Sequence, residues 1–270
     1  RTGAAVDGLL AAGVDLVVGI AGTAANLAAR TKLEQACVPQ LMALGAARAF
    51  TGRSRVLAFN GGYHGGLMTF VGGGGSPTNA PVPVTLADYN DIDGTLAALR
   101  TGADDIGAVI LEPMMGSGGC IPATREFLLA LREATRAAGV LLIFDEVMTS
   151  RHSAGGLQKV HGVTPDLTSF GKIMGGGLPV GAFGGRADVM ATFDPSRPGA
   201  IAHSGTYNGN AATMAAGLTA LAHFDDRTVN ALNATGDALR ARLNAVIADA
   251  AVELLDQRAE WAIAFDVDAD

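Results

Sequence analysis

The sequence predicts an α/β protein built on a mostly parallel sheet covered by helices. Short apolar runs alternate with amphipathic helical stretches along the chain. Several of those runs are continuously apolar, as strands buried on both faces are. Strand, helix and strand follow one another within a short span, which implies parallel crossover units.

The strands are read at "VDLVVGI" (14–20), "RVLAFN" (55–60), "GAVILEP" (107–113), "VLLIFDE" (140–146) and "LTSFG" (167–171). Between the third and fourth, "TREFLLALREATRAAG" (124–139) sets Phe127, Leu128, Leu131 and Ala134 at helical spacing, with Gly139 as C-cap. "GGYHGG" (61–66) and "GGGGSPTNAPVP" (72–83) are loops by composition. From "AATMAAGLTALAHF" (211–224) through "ALNATGDALRARLNAVIADA" (231–250) the texture is helical and alanine-rich, and "WAIAFDVDAD" begins a further strand.

Composition narrows the function. With 49% hydrophobic and 17% charged residues, the 270-residue chain fits a globular protein with ample core. Its 37 glycines imply many tight turns or close backbone approaches. A net charge of −7 argues against nucleic acid as a partner. Cys37 and Cys120 form no CxxC pair, which fits a reducing compartment and gives no metal signature. No apolar run is long enough for a membrane span, so a cytoplasmic protein is expected. The opening Arg1, where a Met would stand, fits a fragment or the ordered part of something longer.

In an open parallel sheet, ligands gather beyond the carboxyl ends of the strands. Glu112, Asp145 and the residues after Phe170 are expected there. "SFGKIMGGGLPVGAFGGR" (169–186) sets Lys172 in an apolar, glycine-rich neighbourhood just past a strand. Alone it reads as a surface lysine. A desolvated lysine, however, becomes a nucleophilic amine that condenses with aldehydes. Pyridoxal phosphate (PLP) requires such a lysine, an acid for its pyridine nitrogen, a phosphate cradle and a flat group against its ring. Asp145 supplies the acid, and its burial is explained if a cation comes to meet it.

"FDEVMTS", "SFGKIMGGGLPVGAFGGR" and "HSGTYNGN" (203–210) resemble the class III, or ω-type, aminotransferases of PLP fold type I, over residues 46 to 224. That family includes β-amino-acid aminotransferases and glutamate-1-semialdehyde aminomutase. The resemblance implies that Lys172 forms the Schiff base with PLP and shuttles a proton, while Asp145 holds the pyridine nitrogen. It places Val147 on one face of the ring, Tyr63 on the other and Glu112 close by. It implies a homodimer in which Thr206 reaches the partner's phosphate. It also implies a PLP-binding large domain over 1–224 and the start of a smaller C-terminal α/β domain over 225–270.

The phosphate cradle departs from the family pattern. "VVGIAGTAANLAAR" (17–30) keeps Gly22, Thr23 and Asn26 but has Ala21 and Ala24 where serine and glutamate would stand. "LAARTKLEQACVPQ" (27–40) then intervenes, with Pro39 expected to break any continuous helix. Either this is an insertion, or the register of residues 1–40 is not the family's.

Of the remaining polar residues, His64, His152, His161 and His203 read as structural or solvated, and Glu146 as half of a structural ion pair. Arg151 meets either a substrate carboxylate or a surface partner. The expected reaction moves an amino group from a β-amino acid, an aromatic one such as β-phenylalanine among the choices, to a 2-oxo acid. The alternatives are a glutamate-1-semialdehyde aminomutase and a PLP-fold fragment without catalysis.

Overall fold

The computed structural model of the protein describes residues 39–203, 205 and 208–256, the last eight of these as backbone. The chain divides into two units, Arg1–His223 and Phe224–Asp270.

The first unit is organised by a six-stranded sheet. Its strands are β1 (Arg55–Phe59), β2 (Val84–Ala87), β3 (Ile106–Leu111), β6 (Leu141–Asp145), β7 (Leu167–Gly171) and β8 (Gly181–Gly185), in the spatial order β2-β1-β3-β6-β7-β8. A separate two-stranded pair, β4 (Met114–Met115) and β5 (Ile121–Pro122), follows β3. Pairings in the main sheet are parallel except β7 with β8, a hairpin whose last pair is Gly171 with Gly181. The fold is therefore the mostly parallel α/β sheet that the sequence predicts.

Helices cover both faces. Against one lies α1 (Pro39–Thr51), whose Ala43, Leu44 and Ala47 pack with Val56, Ile110 and Ile143. Pro39 stands in the first turn of this helix as described, where a missing N–H costs nothing, and residues 27–38, through which it was expected to interrupt a helix, lie outside the described residues. On the other face are α2 (Ile92–Thr101) and α3 (Arg125–Ala138), with Phe127, Leu128 and Leu131 packed against Leu57, Leu142 and Phe144. Residues that alternate along one strand thus go to opposite cores, each fully buried Leu, Ile or Phe contributing about 1.5–3 kcal/mol.

The ends of α3 follow from its flanking residues. The Thr124 side chain accepts from the Phe127 N–H, and Gly139 adopts the left-handed conformation at φ 63°. Asp166, just before β7, ties three elements together. Its carboxylate accepts from the Leu142 N–H, from Arg132 of α3 at 2.9 Å and from Arg186 after β8 at 2.9 Å.

Further helices described in the unit are α4 (Gly156–His161), α5 (Ala187–Met190) and α6 (Ala211–His223). The second unit contains α7 (Asp226–Asp256), on which Leu232, Leu239 and Leu243 are exposed. No helix of the described residues is long and apolar enough to cross a membrane.

Candidate active site

Parallel pairing of β3, β6 and β7 brings the ends of three strands together, and the polar residues cluster there. Asp145 is the last residue of β6 and pairs with Ser169 of β7. Lys172 follows β7 directly, in a single 3-10 turn (Lys172–Gly175). Glu112 follows β3. Sheet order alone therefore assembles an acid, a lysine and a second carboxylate on one edge.

Asp145 is 3% exposed and surrounded by donors. Its Oδ1 accepts from the Val147 N–H at 3.1 Å, and Nδ1 of His64 lies 2.8 Å from Oδ2. Nε2 of Gln40, in the first turn of α1, donates to both oxygens at 3.3 and 3.1 Å. Asp145 is thus held at the strand end by three neighbours, Gln40, His64 and Val147.

Glu112 is held differently. Its oxygens accept the backbone N–H groups of Tyr63 at 3.0 Å and Gly116 at 3.2 Å. Burial pushes its carboxyl above the ordinary value, and the negative charge of Asp145 adds to the rise, while His64 and the two N–H groups oppose it. The Tyr89 phenol donates to the Glu112 carbonyl at 2.6 Å, and burial holds that phenol strongly protonated. His64 therefore lies within the field of two buried carboxylates.

The flanking groups fit a flat ligand on this edge. Val147 is half-buried and packs over Gly171, where an added methyl group would come 3.2 Å from its Cγ1. The Tyr63 backbone is fixed by Glu112 and by a bridge to Thr69, while its side chain is accessible at 37% exposure. Ser169 shares the Asp145 face by register, and its buried hydroxyl has no hydrogen-bond partner among the described residues. An orphaned hydroxyl beside a buried acid suits a polar ring. The described residues fit the pyridine end of PLP.

Other expectations are revised. Lys172 is exposed, not desolvated, and its backbone is left-handed (φ 52°) just past the end of β7. Glu146 has no ion pair among the described residues. It is fully buried on the face opposite Asp145, and its carboxylate accepts from the Thr149 hydroxyl and from the N–H groups of Leu157 and Gln158. Those N–H groups belong to the first turn of α4, where a negative charge is favoured. Arg151 is exposed and donates from Nε to the Met148 carbonyl. Gly22, Thr23 and Thr206 lie outside the described residues. No group of three or more metal-ligating side chains occurs among those described.

Sequence reasoning missed Gln40 and Ser169, and read His64 as structural or solvated without linking it to Asp145. His64 carried a faint signal, since it adjoins Tyr63 in a glycine-bracketed loop. Gln40 carried none.

Comparison with known proteins agrees with this geometry. The family profile described as Aminotransferase class-III matches residues 21–257. A β-phenylalanine transaminase from Variovorax paradoxus is 50% identical over 215 residues, 79% of this chain and 49% of that protein. A glutamate-1-semialdehyde 2,1-aminomutase from Alkaliphilus metalliredigens is 45% identical over 195 residues, covering 67% of this chain and 44% of that one. The chain thus spans about half the length of these relatives. Among solved structures, the β-phenylalanine aminotransferase of Variovorax paradoxus superposes with a TM-score of 0.75 at 42% identity, over 92% of this chain and 60% of that one. An ω-transaminase from Sphaerobacter thermophilus gives 0.72 at 37% identity, over 92% and 64%. With a profile spanning most of its length, the chain belongs to the class III aminotransferases, a PLP-dependent family.

Proposed function

We propose that the chain forms the catalytic part of an aminotransferase that moves an amino group from a β-amino acid to a 2-oxo acid. The observation that carries this reading is the buried Asp145, ringed by donors at the end of β6, with Lys172 leaving the neighbouring strand β7. Likeness to a β-phenylalanine transaminase supports an aromatic donor such as β-phenylalanine.

When bound, PLP supplies an electron sink for the negative charge that develops at the substrate carbon. The protein's residues do the rest. Asp145 accepts a hydrogen bond from the pyridine nitrogen and keeps it protonated. Nζ of Lys172 would hold the cofactor covalently and, once released, would carry the proton taken from the substrate's amino-bearing carbon. Val147 and Tyr63 would hold the ring from its two faces, and Glu112 fixes the Tyr63 backbone. Gly22 and Thr23 bind phosphate, with Thr206 supplied across a homodimer. In this reading residues 1–224 are the PLP-binding large domain, 225–270 begin a smaller one, and the enzyme is cytoplasmic.

A glutamate-1-semialdehyde aminomutase is the second reading, supported by relatives of that name. Against it, "GTYNGNAAT" has Ala211 after Asn210, where that enzyme type usually has proline. Assays of amino transfer from β-phenylalanine to 2-oxoglutarate, run beside semialdehyde isomerisation, separate the two. Transfer without isomerisation is expected. Isomerisation alone overturns the first reading.

A further inference from the structure

Helix α6 meets the lysine turn without intervening side chains. Its buried residues are Thr213 and Gly217, one helical turn apart, whereas Met214, Leu218 and Leu221 are exposed. Both buried residues face the segment after Lys172. The Thr213 hydroxyl donates to the Pro179 carbonyl at 3.4 Å. A methyl group on Gly217 would collide with the carbonyl oxygen of Met174, and one on Gly176 with that of Ala216. The helix is itself fixed at its start, where the Asn210 side chain accepts from the Thr213 N–H at 2.9 Å.

What this contact presses on is unusual. Lys172 has φ 52°, a left-handed conformation that disfavours any residue with a Cβ. Such a conformation persists only where its surroundings over-determine it. Within the turn, Gly176 donates its N–H to the Ile173 carbonyl at 3.2 Å and Leu178 to the Gly175 carbonyl at 3.0 Å, and β8 secures its far end. The backbone of α6 lies against Met174 and Gly176.

We propose that Gly217 is a positioning residue for the aminotransferase reaction, letting α6 lie directly on the Met174–Gly176 backbone and so hold Lys172 in its left-handed conformation. This rests on Lys172 being the residue that anchors PLP. An ordinary helical glycine gains stability on replacement by alanine. Gly217 is the reverse case, because the new methyl group must lift α6 away from the turn.

The test compares Gly217→Ala with wild type and with Gly236→Ala, a helical glycine of α7 with open space around it. Each full-length protein is equilibrated with limiting PLP, reduced with borohydride and mapped for pyridoxyl-labelled peptides, and its unfolding is measured separately. Gly217→Ala should lower labelling of Lys172 about tenfold and shift the pH midpoint of the near-visible PLP band, while Gly236→Ala changes neither. Thr213→Val, which removes a bond without adding bulk, should move both readouts the same way by less, and decides the matter if Gly217→Ala does not fold. Labelling and band unchanged from wild type, even with altered unfolding, would overturn the proposal and leave a packing contact. A label on another lysine in wild type overturns the Lys172 assignment, and this proposal with it.

Discussion

Nδ1 of His64 lies 2.8 Å from Oδ2 of Asp145, and both side chains are almost completely buried. The histidine is thus a structural partner of the acid proposed to hold the cofactor's pyridine. A hydrogen bond to a charged group contributes about 1.5–3 kcal/mol. His64→Phe should therefore lower kcat by roughly 10–100-fold while the protein stays folded. Steady-state kinetics beside circular dichroism check this, and near-normal turnover refutes the role.

Asp145→Asn should have a larger effect. The substitution preserves shape but removes the charge that favours a protonated pyridine, so kcat should fall by several powers of ten, each factor of ten being about 1.36 kcal/mol. Single-turnover kinetics at saturating PLP separate this loss from weaker cofactor binding.

Lys172→Ala should leave a folded protein that holds PLP noncovalently and turns nothing over. Borohydride reduction of wild type followed by peptide mapping should find the pyridoxyl group on Lys172. A label on Lys159 would sink the assignment.

Asp166 gives a pH prediction. Burial would raise its pKa, but the Leu142 N–H and the guanidinium groups of Arg186 and Arg132 outweigh it, so the carboxyl sits below the ordinary 3.8. A carboxyl depressed on folding stabilises the native state above its unfolded pKa, and that contribution is lost as pH falls through the folded one. Urea unfolding should show stability falling below about pH 4, with Asp166→Asn less stable at pH 7 by about 2 kcal/mol and less sensitive to acid. Parallel acid profiles would contradict this.

Thr206 tests the dimer. If its hydroxyl serves the neighbouring subunit, Thr206→Ala and Lys172→Ala, each inactive at limiting PLP, should complement when co-expressed. Random pairing in a twofold dimer would restore about a quarter of all sites. Activity no greater than the sum of the parents would place Thr206 in its own chain's loop.

The legible part of the fold was its continuous apolar strands. Runs at 55–60, 107–113, 140–146 and 167–171 carry enough branched and aromatic residues to announce β1, β3, β6 and β7. The edge strands were silent: β2 follows a proline-rich loop, and β8 reads GAFGG, with too few side chains to show alternation. Helix α2 was hidden by Gly94 in its first turn. In the site, Asp145 and Lys172 stood out by residue type at a strand end. His64 and Gln40 did not, because their bonds to Asp145 span 81 and 105 residues, and a chain read in order gives no sign of such distant pairs.

The adjacent carboxylates of Asp145 and Glu146 also act as a register gauge. One points toward Gln40 and His64, the other into the first turn of α4, and their lengths differ by one methylene. A slip of β6 by a single residue would exchange every side chain between the faces. The longer acid would then crowd His64 and Gln40, and the shorter would fall away from the Leu157 and Gln158 N–H groups. Exchanging the two residues alters neither composition nor net charge, yet it spoils both sets of bonds at once. Their order along the chain therefore fixes how far β6 slides between its neighbours, and with it the height at which the acid meets its ligand.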